Sequence, residues 1–374
     1  MLDGVQPITD AERYSRVDKA RRLMRQNKLD AIFLEAGTSL YYFSGTRFQN
    51  SETPTGLIVP VEGEPIWIVP SKGPQAGSVK LWKTGIRTTD APFETIAQAF
   101  KDRKASNIGF EEQVRFFVFD GVRQQMPQAN IVSATPVTAG CRMIKSPAEI
   151  ALMQRASDIT IAAYKAALAH LKEGMSQVDL RGYIEAAYTA FGVRGDVMAE
   201  FGKYTAFPHG SITPQRLREG DFVLIDDGCS VEGYQSDITR TVIFGQPTAR
   251  QRQIWELERQ AQAAAFNAAQ PGHACETVDA AARKVITGAD FGPDYKLPGL
   301  PHRTGHGIGL DGHEWTNFVR GNKTPMQPGM CFSDEPMIAI YGEFGVRLED
   351  CLYITDNGPR MFSKPSLAID QPFG

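Results

Sequence analysis

The stretch VLIDDGCSVEGYQSDITRT, residues 223–241, runs from an apolar strand through a turn signal to a second carboxylate. Asp226 ends the apolar run, and Asp237 follows with Glu232-Gly233 between them. The midpoint of 226 and 237 falls between Val231 and Glu232, so a hairpin closed there sets the two carboxylates opposite each other. Like charges paired across strands repel, and a carboxylate in a half-buried strand is costly unless something neutralises it. Taken alone, the pair reads as structure or as half of a metal site, and Asp227, beside Gly228, reads equally well as turn chemistry.

A second stretch repeats the pattern. In SDEPMIAIYGEFGVRLED, residues 333–350, the midpoint of Glu335 and Glu349 is Gly342, so a hairpin closed at that glycine again opposes two carboxylates. Four acids converging without a cation repel strongly, so two such hairpins in one sheet predict a metal cluster. Arg347 precedes Glu349 by two residues, which on a strand places both on one face and suits an ion pair with that carboxylate.

Four of the six histidines gather nearby: His209 in FPHG, and His302, His306 and His313 in PHRTGHGIGLDGHE. Their spacing mimics one face of a zinc-binding helix, but Gly305, Gly307 and Gly309 would each cost a helix about 1 kcal/mol. The segment is therefore expected to be extended, with glycines allowing close backbone approach. Two Asp, two Glu and one His form a hard, oxygen-rich donor set, which suits paired Mn2+, Co2+, Fe2+ or Zn2+ better than one structural zinc. Paired ions of this kind serve hydrolysis. The chain has no GxxxxGK[ST] loop and no GxSxG elbow, so nucleotide hydrolysis and serine-hydrolase chemistry lack support.

Composition bounds the remaining classes. A chain of 374 residues exceeds what one core usually serves, and a net charge of -3 gives no global pull toward nucleic acid or anionic membrane. The N-terminus, MLDGVQPITDAERYSRVDKARR, carries acids and no apolar core, and no stretch approaches the ~18 apolar residues of a membrane span. Five cysteines, odd in number and never in a CxxC pair, fit free thiols in a reducing compartment. A cytoplasmic protein is expected.

Two domains are readable. Residues 1–143 alternate helix and strand signals: Asp10 as a cap for a helix with Tyr14, Val17, Ala20 and Met24 on its apolar face, then the strand AIFL at 31–34. A hairpin from GLIVPV (56–61) and PIWIVP (65–70) follows, then a helix near 93–104 and the strand NIGF. This predicts an α/β domain. Ser146, Pro147 and Glu149 form a capping box that opens a long helix with Gly174 as its stop. Residues 144–374 then predict an α+β domain: helices at 177–191, 249–269 and 275–287 covering an antiparallel sheet.

The ordered set IDDG, YQSDITRT, HRTGHGIGLDGHE, DEP and VRLED resembles the pita-bread superfamily, which includes methionine aminopeptidase, prolidase, aminopeptidase P and creatinase. KSPAEI and SLYYFSG resemble its proline-specific and creatinase branch, which carries an extra N-terminal domain. The resemblance implies two divalent metal ions per chain, with Mn2+ foremost. Asp226 would chelate one ion, Asp237 and Glu349 would bridge both, and His306 and Glu335 would complete the second. It implies Glu335 as proton acceptor, His209 and His313 as catalytic histidines beside the substrate, and His302 and Arg347 as substrate-side residues. The implied substrate is a proline-containing Xaa-Pro peptide and the implied assembly a homodimer. Competing readings are a C–N hydrolase of an ectoine-like ring or creatine-like amidine on the same fold, and an inactive binding module. Three positions depart from the family's habit: Phe201 in place of Ser, Gly312 in place of a bulkier residue and Met337 in place of Gly.

Overall fold

A computed structural model describes residues 1–374, which divide into two compact units: Ile8–Arg142, and Met143–Gly374 together with Met1–Pro7. No helix is long and apolar enough to cross a membrane.

The unit Ile8–Arg142 is built on a six-stranded mixed sheet in the order Ile86–Thr89, Ile66–Pro70, Gly56–Pro60, Ala31–Glu35, Asn107–Phe110, Asn130–Ser133. The central strand Ala31–Glu35 is buried along its whole length, as an apolar run covered on both faces must be. It runs antiparallel to Gly56–Pro60 and parallel to Asn107–Phe110. Phe33, Ile58, Ile68, Phe100, Ile108 and Val122 form the core between the sheet and its helices. The first helix, Asp10–Gln26, is capped by Thr9 and not by Asp10: Thr9 Oγ1 accepts the Glu12 N–H at 3.2 Å, while Asp10 lies in the first turn. Val17, Ala20 and Met24 are buried, whereas Tyr14 is exposed and meets Trp82 edge-on.

In the second unit the helix Pro147–Leu168 opens with the complete capping box, Ser146 and Glu149 each satisfying the other's backbone N–H. It stops at Leu168, short of Gly174, whose left-handed backbone (φ 80°) instead turns the chain so that its N–H reaches Leu217 O. Helices Gln177–Ala190, Ala249–Ala268 and Glu276–Gly288 follow. The strands pair antiparallel throughout. One sheet has three strands, in the order Arg240–Ile243, Phe222–Asp226, Met198–Phe201. A second has five, in the order Glu314–Phe318, Gly305–Gly307, Cys331–Asp334, Asp350–Thr355, Gly358–Met361, and two further sheets have two strands each. Trp255 joins helix to sheet: its ring is buried and its Nε1–H donates to Thr241 O at 2.9 Å. Around it Phe222, Phe318, Phe332, Ile338, Val346 and Leu352 form the core.

The two hairpins differ from each other in how they meet the midpoint argument. In the second, Met337 pairs with Arg347 and Asp334 with Asp350, so one register continues past the ladder gap at Pro336 and sets Glu335 opposite Glu349. Its tip is Gly342, at φ 91°. In the first, Val231 pairs with Tyr234 and Ile225 with Arg240, and that register sets Asp226 opposite Thr239 and Asp237 opposite Gly228. The expected direct pairing of Asp226 with Asp237 is therefore corrected to a diagonal one. The cause is the turn: Glu232 (φ 52°) and Gly233 (φ 89°) are its two central residues, both left-handed, which moves the closure two places along in register. A shift of two keeps a side chain on its face, so both aspartates still line one cavity.

Candidate metal centre

A cavity of about 1070 Å³ is lined by all nine residues singled out from the sequence: Asp226, Asp237, His306, Glu335, Glu349, His209, His302, His313 and Arg347. Asp226 and Asp237 come from the first hairpin. Glu335 and Glu349 sit in the gap between two ladder segments of the second, and His306 lies on the strand Gly305–Gly307. That strand is extended, and its glycines are forced by neighbours on both sides. A Cβ on Gly305 would stand 2.1 Å from Ser333 O, and one on Gly307 2.7 Å from Glu314 O.

Ligand atoms of Asp237, His306 and Glu349 lie within 4.8 Å of one another. His306 Nε2 is 3.6 Å from Asp237 Oδ2 and 3.2 Å from Glu335 Oε1. The other ring nitrogen, Nδ1, is 3.0 Å from Gly307 O. A carbonyl can only accept, so Nδ1 carries the proton and Nε2 turns a lone pair toward the two carboxylates. Burial pushes the His306 pKa down to about 4, so the ring is neutral.

The acids are under similar tension. Burial, then the charges of Asp226 and Glu335, push Asp237 well above the usual carboxylate range; burial, then Asp237 and Glu335, do the same to Glu349. Glu349 Oε1 is buried without a hydrogen-bond partner. Its other oxygen accepts from Thr239 Oγ1 at 2.6 Å, while the same hydroxyl also contacts Asp226 Oδ1. One hydroxyl proton cannot satisfy two carboxylate oxygens. A neutral imidazole lone pair, an orphaned carboxylate oxygen and a shared proton are the pattern that cations complete, and the oxygen-rich donor set with one imidazole fits divalent ions.

Arg347 is buried and fully engaged. Its Nη2 pairs with Asp226, its Nε donates to Thr239 Oγ1 at 3.0 Å and its Nη1 donates to Pro208 O at 3.0 Å. The expected pairing with Glu349 is replaced by one with Asp226, because Glu349 lies beyond the end of the strand Phe344–Arg347 and the arginine instead crosses to the first hairpin. Through Pro208 it also steadies the segment that carries His209. His313 lies against His306 with ring centres 3.9 Å apart and planes tilted by 38°, and its pKa is pushed to about 4 by burial, then by His306 and Arg303.

Sequence reasoning missed Thr239 and Arg303. Thr239 becomes visible only once the hairpin register is known, whereas Arg303 was already flanked by signals, lying between His302 and His306. Two of the three departures from family habit, Phe201 and Met337, are buried core residues that do not line the cavity, and Gly312 does not line it either.

Comparison with known proteins follows the same division of the chain. Residues 151–356 match the model of metallopeptidase family M24, and residues 16–144 match that of the creatinase/prolidase N-terminal domain. An Xaa-Pro dipeptidase of Lactobacillus delbrueckii subsp. lactis is 30% identical over 365 residues, covering 94% of this chain and 97% of its own. Among solved structures, a dipeptidase from Mycobacterium ulcerans superposes with a TM-score of 0.89 at 29% identity, over 96% of this chain and 97% of that one. The prolidase of Pyrococcus horikoshii OT3 does so with a TM-score of 0.83 at 27% identity, over 94% and 98%.

Proposed function

The chain belongs to metallopeptidase family M24, and from that premise we propose that it hydrolyses the peptide bond preceding proline in Xaa-Pro peptides, using two divalent metal ions. The observation that carries the metal-dependent part is the neutral His306 Nε2 facing Asp237 and Glu335 beside the unpartnered Glu349 Oε1. Asp226, Asp237, His306, Glu335 and Glu349 would hold the ions. When bound, such ions supply Lewis-acid polarisation of the scissile carbonyl and activation of water.

The chain's own residues supply the rest. Glu335 lines the cavity; it would take a proton from the attacking water and hand it to the departing nitrogen. That nitrogen belongs to a tertiary amide with no hydrogen, so the bond cannot be oriented through an N–H and must be held by its carbonyl and ring. His209, His302 and His313 line the same cavity, where they would surround the scissile bond. Arg347 holds Asp226 and the segment bearing His209 in place. Manganese as the resident ion, a homodimeric assembly and a cytoplasmic location complete the reading; metal analysis of the purified protein and light scattering test the first two.

Hydrolysis of Ala-Pro and Gly-Pro with added Mn2+, Co2+ or Zn2+ is the direct test. Absence of turnover with every ion would remove the proposal, and turnover of ectoine in preference to dipeptide would transfer it to C–N hydrolysis of small molecules.

A further inference from the structure

Arg303 stands between two cavity histidines and makes opposite hydrogen bonds to them. Its backbone carbonyl lies 2.7 Å from His302 Nδ1. Because a carbonyl only accepts, His302 carries its proton on Nδ1 and is left with a lone pair on Nε2. That Nε2 is buried, and it has no partner. The Arg303 side chain does the reverse. Its Nη2 lies 3.0 Å from His313 Nδ1, and a guanidinium only donates, so His313 accepts on Nδ1 and carries its proton on Nε2. Both rings line the same cavity, as does Arg303 itself.

We propose that Arg303 is a positioning residue that fixes opposite tautomers on His302 and His313, so that His313 offers the cavity an imidazole N–H donor while the acceptor nitrogen of His302 stays buried. Taken with the peptidase reading of the cavity, on which this assignment of roles rests, the His313 Nε2–H is the donor available to the scissile carbonyl oxygen as charge builds on it. An Nδ1 that accepts from a guanidinium carries no proton, so the ring's N–H is on Nε2; a proton on Nδ1 instead would leave a lone pair facing the developing negative charge. A backbone carbonyl sets one ring and a side chain the other, so substitution of Arg303 perturbs His313 selectively.

Nitrogen NMR of the Zn2+-loaded protein, labelled with 15N-histidine and assigned with His313→Gln, reads the tautomer directly. The expected spectrum has His313 Nε2 as N–H and Nδ1 unprotonated, with His302 the opposite way round. Arg303→Met should shift His313 toward a mixture of tautomers and leave His302 unchanged, and Arg303→Lys, which keeps a donor, should restore the wild-type pattern. A His313 protonated on Nδ1 in the wild type, or unaffected by Arg303→Met, overturns the proposal.

Kinetics with Ala-Pro and Ala-Pro-amide separate it from a rival role for the same guanidinium. A positioning role predicts a loss of kcat of about tenfold on both peptides with KM little changed. A loss confined to Ala-Pro and expressed in KM would instead assign Arg303 to the substrate's carboxylate. If the wild type cleaves neither peptide with any ion, the peptidase reading fails, while the spectra still decide the tautomers.

Discussion

A single hydroxyl proton lies between two carboxylates at the centre of the site. Thr239 contacts both Asp226 and Glu349 and receives a hydrogen bond from Arg347, so it sets the spacing of two of the proposed ligands without being one. Thr239→Val keeps the shape and removes the hydroxyl; Mn2+ affinity is expected to fall by about 10- to 100-fold, and an unchanged calorimetric Kd would contradict that role. A second residue-level effect lies far from the metals. Burial, then the charge of Glu112, push the Glu111 carboxyl from 4.5 up to about 7. In the unfolded chain it titrates near 4.5, so above that pH the folded state keeps a proton that the unfolded state has lost. The stability it contributes is full below about 4.5 and declines as pH rises through about 7. Glu111→Gln stays neutral throughout, so it should flatten this slope and stabilise the protein by about 3 kcal/mol above pH 7, read from denaturant midpoints across the window.

The hairpins are the elements that bring acids from distant parts of the chain together. Gly233 sits at φ 89° in the two-residue turn of the first hairpin, so Gly233→Ala should cost about 1 kcal/mol in a urea titration. It should also lower metal affinity, because the register that aligns Asp237 with Asp226 depends on that turn. The strand carrying His306 is a sharper case. Gly305→Ala would drive a Cβ to 2.1 Å from Ser333 O, in the middle of a sheet with neighbours on both edges. The backbone must shift and carry His306 away from Asp237 and Glu335. Loss of metal binding with retained helical circular dichroism is the expected result.

At the scale of the molecule, each of the two units has its own sheet and core, and all the proposed ligands belong to one of them. Metal should therefore stabilise the unit Met143–Gly374 selectively. Calorimetry is expected to show a transition that rises with Mn2+ concentration, by about 2.7 kcal/mol at a hundredfold excess over Kd, and a second that does not. His306→Ala should abolish the metal-dependent rise; two transitions moving together with metal would show that the units unfold as one.

By itself the sequence determined the chemistry and much of the local architecture. Ser146-Pro147-Glu149 wrote a helix start, Gly342 wrote the midpoint of a hairpin, and glycines around His306 ruled out a helix, because caps, turns and glycine costs act over a few residues and leave their mark in spacing. The list of acids and histidines was legible for the same reason: few side chains can hold a divalent ion. Only the tertiary structure decided which atoms meet. The register of the first hairpin, the place of Thr239 between two carboxylates, the choice of Asp226 by Arg347 and the opposite tautomers around Arg303 all depend on backbone dihedrals and on side-chain contacts, some joining segments more than a hundred residues apart. Spacing along the chain does not encode those distances.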